Sequence, residues 1–192
     1  MFAKNIEKED LDKLPLIAFN GKIVEIDSAT ELKKAVNYLS KQTLLGFDTE
    51  TKPCFKKGGK NNIAILQLAT EDYAFLIKLK KFILPPSFIK ILEDEKIIKV
   101  GVALKDDLNG LKKYSPFIPG GFIELQHYVR NFGIEDAGLK KLSGIVLGFK
   151  ISKSQQVTNW EAQLTDAQKI YAATDAWVCL KIFKKLENSK LY

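Results

Sequence analysis

The order of apolar patterns along the chain constrains its fold more than any other feature of the sequence. Strand-like runs alternate with amphipathic helical patterns, and a helical pattern over about 166–188 ends the chain. The strand-like runs are KIVEID, TLLGFDTE, NIAILQLAT, YAFLIKL, IIKVGVA and GFIELQHY. A sheet whose strands alternate with helices buries its faces beneath those helices, so the pattern predicts an α/β fold with one central sheet.

Capping patterns mark the start of two predicted helices. Ser28 and Glu31 have the spacing of a capping box, and apolar residues follow at helical spacing, so we predict a helix over about 29–40. Thr165 and Gln168 repeat the pattern where the closing helix begins. Two further segments, PPSFIKILEDE and LKDDLNGLKKY, are also predicted to be helical, the first with prolines at its start. These helices would form the outer layers of the fold.

The composition is that of an ordinary globular protein, with 46% hydrophobic and 28% charged residues in a chain of 192. No repeat or linker divides the sequence, so we expect a single domain over 1–192 with its core at about 22–188. No apolar run approaches the roughly 20 residues that a membrane-spanning helix requires, and no signal-peptide pattern is present. Cys54 and Cys179 have no metal-binding spacing. We therefore expect a cytoplasmic protein without a membrane partner.

The net charge of +7, from 30 basic and 23 acidic residues, favours a polyanionic partner such as nucleic acid. Charge alone does not identify that partner, because many basic proteins bind no nucleic acid. Some of the lysines could neutralise phosphates, although each could equally be a solvated surface residue. These candidates are Lys56, Lys57, Lys60, Lys150 and Lys153.

Two carboxylates share one face of an apolar strand. Asp48 and Glu50 are two residues apart in the run LLGFDTET, so their side chains point to the same side of the sheet. Like charges repel, and an unpaired buried carboxylate costs several kcal/mol, roughly what a whole domain can spare. The sequence therefore predicts a cation opposite this pair.

The closing helix carries a third acidic candidate. Asp175 lies on the same apolar stripe as Val178 and Ile182, where a helix would normally place a leucine. Tyr171, one turn earlier, brings a hydroxyl close to the same carboxylate. A structural aspartate, capped or paired with a cation, is the alternative interpretation of Asp175 taken alone.

A fourth candidate lies where the strand IIKVGVA passes into a helix. Asp106 and Asp107 are adjacent there, and only one of them can point towards a shared site. Acidic residues also favour the first turn of any helix, so either could be structural. Carboxylates without a histidine or cysteine cluster suit Mg²⁺ or Mn²⁺ rather than a softer metal.

Three segments contain these acidic candidates: FDTE, KVGVALKDDL and NWEAQLTDAQKIYAATDAW. In order and spacing they resemble the three exonuclease motifs of the DEDDy group of DnaQ-like 3′–5′ exonucleases. The Werner-syndrome-type exonuclease domain is the most similar member, and RNase D is a more distant relative. The resemblance covers about 22–188. It implies an RNase H-like fold, a five-stranded mixed central sheet flanked by helices.

The resemblance also implies the site. The family's metal ligands fall on Asp48, Glu50, Asp107 and Asp175, with Tyr171 as the catalytic tyrosine. Asp48 would bridge two Mg²⁺ or Mn²⁺ ions, Glu50 and Asp175 would complete the first metal site, and Asp107 would serve the second ion through water. Tyr171 would orient the attacking water, because a phenol with a pKa near 10 is a poor general base at neutral pH.

The implied function is that of a metal-dependent 3′–5′ exonuclease that releases 5′-mononucleotides, with DNA preferred over RNA. An RNase D-like exoribonuclease is one alternative, and a catalytically silent nucleic-acid-binding module is another. The sequence contains no helicase motifs and no additional helical nucleic-acid-binding domain. Any unwinding or targeting would therefore come from a helicase or repair partner in trans, and the oligomeric state stays undefined.

Overall fold

A mixed six-stranded sheet forms the centre of the protein in the computed structural model, which describes residues 2–51, 62–81 and 83–190. The strand order is β1-β4-β3-β2-β5-β6. β3 is antiparallel to both β2 and β4, whereas β1 pairs in parallel with β4, and β5 pairs in parallel with β2 and β6. The strands are β1 (Lys22–Ile26), β2 (Leu44–Thr51), β3 (Ile63–Ala69), β4 (Tyr73–Lys78), β5 (Ile98–Gly101) and β6 (Phe122–Glu124).

The predicted α/β fold with a mixed sheet flanked by helices is confirmed, but the sheet has six strands rather than five. The pairing at one edge is short, because β6 contributes only three residues alongside β5. The run GFIELQHY was expected to be a strand throughout. Its second half is instead a helix, because the Glu124 side chain accepts a hydrogen bond from the backbone N–H of Gln126 and caps that helix.

Helices begin where the sequence places their caps. Both capping boxes are present, at Ser28 with Glu31 and at Thr165 with Gln168. A short first helix and a four-residue sixth helix were not anticipated from the sequence. The helices are α1 (Lys8–Lys13), α2 (Ala29–Leu39), α3 (Pro86–Glu93), α4 (Leu104–Leu111), α5 (Leu125–Tyr128), α6 (Leu139–Leu142) and α7 (Asp166–Ser189). In the part of the chain that the structure describes, none of these helices could span a bilayer.

The two faces of β2 belong to different layers. Leu45 and Phe47 are fully buried in an apolar core with residues of α2, α3 and α4. The alternate residues of β2 face α7, which packs across β2 and β3. At Gly46 a Cβ atom would lie only 1.8 Å from the carbonyl oxygen of Ala176. The glycine thus permits close contact between α7 and the strand that carries Asp48 and Glu50.

Candidate active site

Three carboxylates meet where β2 lies against α7. Asp48 and Glu50 come from the β2 face that points to the helix, and Asp175 comes from the helix itself. One carboxylate oxygen from each residue lies within 4.8 Å of the others. Asp48 and Glu50 are half-buried, and Asp175 is buried. The face-sharing that the sequence predicts for Asp48 and Glu50 therefore leads to a compact acidic cluster.

Burial disfavours the charged form of all three carboxylates, and repulsion between neighbouring carboxylates adds to this effect at Asp48 and Glu50. Burial, followed by repulsion from Asp175 and other neighbouring carboxylates, raises the pKa of Asp48 well above its usual value and that of Glu50 to about 9. Burial is also the main cause that raises the pKa of Asp175 to about 7. A cation among these groups would stabilise all three in their charged form.

The donor set fits a hard divalent cation. All three groups of the cluster offer carboxylate oxygens, the ligand type that Mg²⁺ and Mn²⁺ prefer. One of these atoms, Oδ1 of Asp175, is buried and has no hydrogen-bond partner. A buried polar atom without a partner needs an explanation, and a metal ion supplies one here. Asp48, Glu50 and Asp175 are therefore able to hold such an ion.

Tyr171 lies one helical turn before Asp175 and is 7% exposed. Its hydroxyl lies close enough to the Asp175 carboxylate to lower the pKa of that group, and its ring packs against Trp160 with centroids 5.9 Å apart. Burial and the nearby carboxylates raise the pKa of Tyr171 above its usual value. The phenol is thus protonated at neutral pH, and the contact with Trp160 holds its ring in place.

Asp107 approaches the cluster from the opposite layer. It is half-buried in the first turn of α4, whereas its neighbour Asp106 is exposed. Its Oδ1 accepts a 2.5 Å hydrogen bond from the hydroxyl of Thr49, the β2 residue between the two carboxylates. Burial raises the pKa of Asp107 to about 6, and its charge contributes to the raised pKa of Glu50. Asp107 is nevertheless not one of the three carboxylates whose oxygens lie within 4.8 Å.

Glu124 fixes the start of the helix that carries Asp107. α4 has no side-chain cap of its own, because Ala103 occupies the capping position in a left-handed conformation with φ of 60°. The Glu124 carboxylate replaces that cap by accepting hydrogen bonds from the backbone N–H of Ala103 at 3.0 Å and of Leu104 at 2.7 Å. The end of β6 thereby determines where the first turn of α4 begins.

The lysines expected to contact phosphates are only partly described by the structure. The exposed Lys153 lies near the cluster, since its charge lowers the pKa of Asp175. The Lys150 ammonium instead donates to the backbone carbonyl of Asp12, so it is engaged by the first helix. The other three candidates lie outside the described residues: Lys56, Lys57 and Lys60.

Sequence reasoning missed four residues that shape the site: Gly46, Thr49, Gln67 and Glu124. Gln67 carried a detectable signal, because it is the one amide in the otherwise apolar core of NIAILQLAT. The roles of the others depend on contacts between segments that are distant along the chain. No local pattern reports such contacts.

Comparison with known proteins adds independent information. A family model described as 3′–5′ exonuclease matches residues 23–190. The bifunctional 3′–5′ exonuclease/ATP-dependent helicase WRN of Mus musculus is 33% identical over 189 residues, which cover 92% of this chain and 13% of WRN. The chain spans less than half the length of the curated relatives that it matches.

Solved structures show the same fold. The crystal structure of the Aedes aegypti Nibbler EXO domain superposes with a TM-score of 0.80 at 25% identity, covering 91% of this chain and 93% of that domain. Trypanosoma brucei RNase D in complex with RNA U12 gives a TM-score of 0.76 at 21% identity, over 88% of this chain and 63% of the other, a likeness of fold alone. With the family match over most of its length and the three acidic motifs in order, the chain belongs to the 3′–5′ exonuclease family, in its DEDDy-type, DnaQ-like group.

Proposed function

We propose that the protein is a metal-dependent 3′–5′ exonuclease, which hydrolyses the terminal phosphodiester bond of a polynucleotide and releases 5′-mononucleotides. The observation that carries this proposal is the cluster of Asp48, Glu50 and Asp175, whose oxygens lie within 4.8 Å of one another beneath a buried tyrosine. Membership of the exonuclease family supports it.

Asp48, Glu50 and Asp175 would hold the divalent cations, Mg²⁺ or Mn²⁺, with Asp107 as a supporting ligand. We propose two ions per site. Bound divalent cations would supply Lewis-acid polarisation of the scissile phosphate and a more acidic bound water. The hydrogen bond from Thr49 holds the Asp107 carboxylate in place. Asp107 lies outside the compact cluster, and this position suits a contact through water.

The chain's own contribution to hydrolysis would be positioning. Tyr171 keeps its proton at neutral pH, so it orients the attacking water by hydrogen bonding and does not remove a proton from it. The contact with Trp160 fixes the ring for this role, and the hydroxyl lies near the Asp175 carboxylate. Lys153, beside Asp175, would offset the negative charge of the phosphate that approaches the cluster.

For the substrate we propose DNA, with RNA as the alternative that an assay must distinguish. The support for DNA is the 33% identity to mouse WRN, a 3′–5′ exonuclease joined to an ATP-dependent helicase. A helicase or repair protein in trans would then supply the unwinding. RNA differs from DNA at each sugar by a 2′-hydroxyl, which a protein recognises through contacts that the acidic motifs do not include.

The experiment compares cleavage of matched 3′-recessed DNA, single-stranded DNA and RNA in Mg²⁺, Mn²⁺ and EDTA. We expect 5′-mononucleotides from DNA with either metal and no product in EDTA. Asp175→Ala should reduce the rate by orders of magnitude, since it removes a ligand. Asp166→Ala is the matched control, because this aspartate of the same helix has a side chain that is 95% exposed.

Four outcomes would contradict parts of the proposal. Activity that survives EDTA would exclude the metal mechanism. Equal rates for Asp175→Ala and Asp166→Ala would exclude the assigned site. Faster cleavage of RNA than of DNA would make the protein an exoribonuclease, and no cleavage of any substrate would leave a module that only binds nucleic acid.

A further inference from the structure

A glutamine at the centre of β3 has no evident partner. Gln67 is 0% exposed, and neither Nε2 nor Oε1 of its carboxamide has a hydrogen-bond partner. Buried side-chain amides without partners are rare, because the lost bonds to water are not replaced. All seven residues of β3 are buried, and the other six are apolar. An apolar side chain of similar size would therefore fit this position without leaving a buried polar atom unpaired.

The register of the sheet places Gln67 beside the acidic cluster. Gln67 is directly opposite Asp48 in the antiparallel pairing of β2 with β3. Directly opposite residues of two strands point to the same face, with Cβ atoms about 4.5–5.5 Å apart. The carboxamide of Gln67 is thus a cross-strand neighbour of the Asp48 carboxylate, on the face that α7 covers.

The other residues directly beside Gln67 on this face of the sheet are apolar. Ile65 and Ala69 are the nearest residues of β3 on this face, and Leu76 of β4 is directly opposite Gln67. The part of α7 that covers them presents small side chains. Ala172 packs in one cluster with Ile65 and Leu76, and Ala173 packs in another with Ala69. Of these four directly adjacent sheet residues, Asp48 is therefore the one that can form a hydrogen bond. Glu50, diagonal to Gln67 on the same face, is farther away.

We propose that Gln67 is a positioning residue for Asp48. Its Nε2 donates a hydrogen bond to the Asp48 carboxylate when that group ligates a divalent cation. A carboxylate that ligates one or two cations must keep a defined orientation. A hydrogen bond to it from a neighbouring side chain fixes that orientation. The inference rests on the proposed function, since it assigns Asp48 to a metal.

A neutral amide suits this position better than a cation. A lysine or arginine opposite Asp48 would pair with the carboxylate but would repel Mg²⁺ or Mn²⁺ from it. The glutamine amide donates without adding charge.

The test replaces the amide with an apolar side chain of similar length. Gln67→Met keeps the volume and removes both polar atoms, so its metal-free thermal midpoint should equal or exceed that of the original protein. Its Mn²⁺ affinity, measured by calorimetry, should fall by about 10- to 100-fold, as is typical when the partner of a metal ligand is lost. Its single-turnover rate should fall as well. Leu68→Met is the matched control, on the same strand and equally buried but in the opposite core.

A structural role predicts a different result. If Gln67 only stabilised the fold, Gln67→Met would lower the metal-free midpoint and leave the Mn²⁺ affinity unchanged, and this result would overturn the inference. Asp48→Asn, which removes a proposed metal ligand, distinguishes failure of the inference from failure of the proposed function. Loss of Mn²⁺ binding in Asp48→Asn with full binding in Gln67→Met would overturn the inference alone. The absence of Mn²⁺ binding in the original protein would overturn the proposed function and the inference together.

A second variant keeps the test decisive if Gln67→Met does not fold. Gln67→Glu is nearly isosteric and adds a carboxylate opposite Asp48. The two charges would repel in the metal-free protein, so its midpoint should fall, and saturating Mn²⁺ should raise that midpoint by more than in the original protein. An equal rise in both proteins would show that residue 67 does not face the metal, and would overturn the inference.

Discussion

Asp106 and Asp107 are adjacent in the first turn of α4, yet only Asp107 is turned inward. It accepts the hydrogen bond from Thr49 at 2.5 Å, while Asp106 stays exposed. We predict that Asp107→Asn lowers the single-turnover rate on 3′-recessed DNA by about 10- to 100-fold, the usual effect of losing a group that supports a metal site. Asp106→Asn should cleave at close to the original rate. Equal losses in the two variants would show that Asp107 has been assigned wrongly.

Tyr171 offers a second test at the scale of one residue. Tyr171→Phe keeps the ring that packs on Trp160 and removes the hydroxyl that lies near the Asp175 carboxylate. The thermal midpoint should change little, whereas the single-turnover rate should fall by about 10²-fold, the lower end for a positioned catalytic group. Tyr38→Phe is the control, since that hydroxyl lies 3.4 Å from Thr70 and outside the cluster. A Tyr171→Phe variant that cleaves at the original rate would exclude the positioning role.

Single residues could be assigned from the sequence only where the signal was local. Asp48 and Glu50 stand out because charges alternate with apolar residues on one strand, and Asp175 stands out on an apolar stripe. Gln67 is as unusual in its own strand, but its neighbour is known only once the register of β3 against β2 is known. Thr49 acquires a role only because α4 lies against the far side of β2.

At the scale of elements, helix starts were easier to predict than strand ends. A capping box is encoded in four consecutive residues, so α2 and α7 begin where expected. β6 ends early because Glu124 caps two helices at once, α4 through Ala103 and Leu104 and α5 through Gln126. Two of these three bonds are to residues about 20 positions away, so the sequence run looked like a longer strand.

The contact between α7 and β2 is the element-scale feature that assembles the site. A side chain at Gly46 would collide with the carbonyl group of Ala176, at 1.8 Å from its oxygen and 2.7 Å from its carbon. We predict that Gly46→Ala lowers stability by about 1–3 kcal/mol, as overpacked cores do, and also weakens Mn²⁺ binding, because Asp175 must move away with the helix. Thermal melts and calorimetry measure the two effects.

Gly138→Ala is the control for this contact. No atom lies within 4 Å of a Cβ built at Gly138, and its φ of −79° suits any residue. It should melt and bind Mn²⁺ like the original protein. If Gly46→Ala lost stability but kept full Mn²⁺ affinity, the acidic cluster would not depend on the distance between α7 and the sheet.

At the scale of the whole molecule, two opposite charge requirements meet. The chain carries a net charge of +7, which attracts a polyanion from a distance. The carboxylates of Asp48, Glu50 and Asp175 would repel a phosphate at contact once they are ionised. Divalent cations resolve this conflict, because they neutralise the carboxylates and then face the phosphate. The same reasoning implies that metal-free protein should bind 3′ ends less tightly than loaded protein.

The metal-free protein should therefore become less stable as pH rises. Unfolded carboxyl groups ionise near pH 4, but the folded protein holds protons on Asp175 up to a pKa of about 7 and on Glu50 up to about 9. The folded state then binds more protons than the unfolded state, so the free energy of unfolding falls with increasing pH. We choose the window from pH 5 to 8, because the pKa of buried Lys99, lowered by burial to about 8, affects stability above it.

Denaturant unfolding in EDTA at several pH values within this window measures the slope. Glu50→Gln should flatten it, because the variant lacks one of the groups that are protonated only in the folded state. Saturating Mg²⁺ should also flatten it, since the metal binds the ionised cluster and stabilises the folded protein most at pH 8. The ion pairs of Glu25 and Glu71 do not interfere, because they lower the pKa of each carboxyl and their stabilisation is lost only as pH falls through the acid range. A stability that is constant or rises from pH 5 to 8 in EDTA would show that the three carboxylates do not share one uncompensated site.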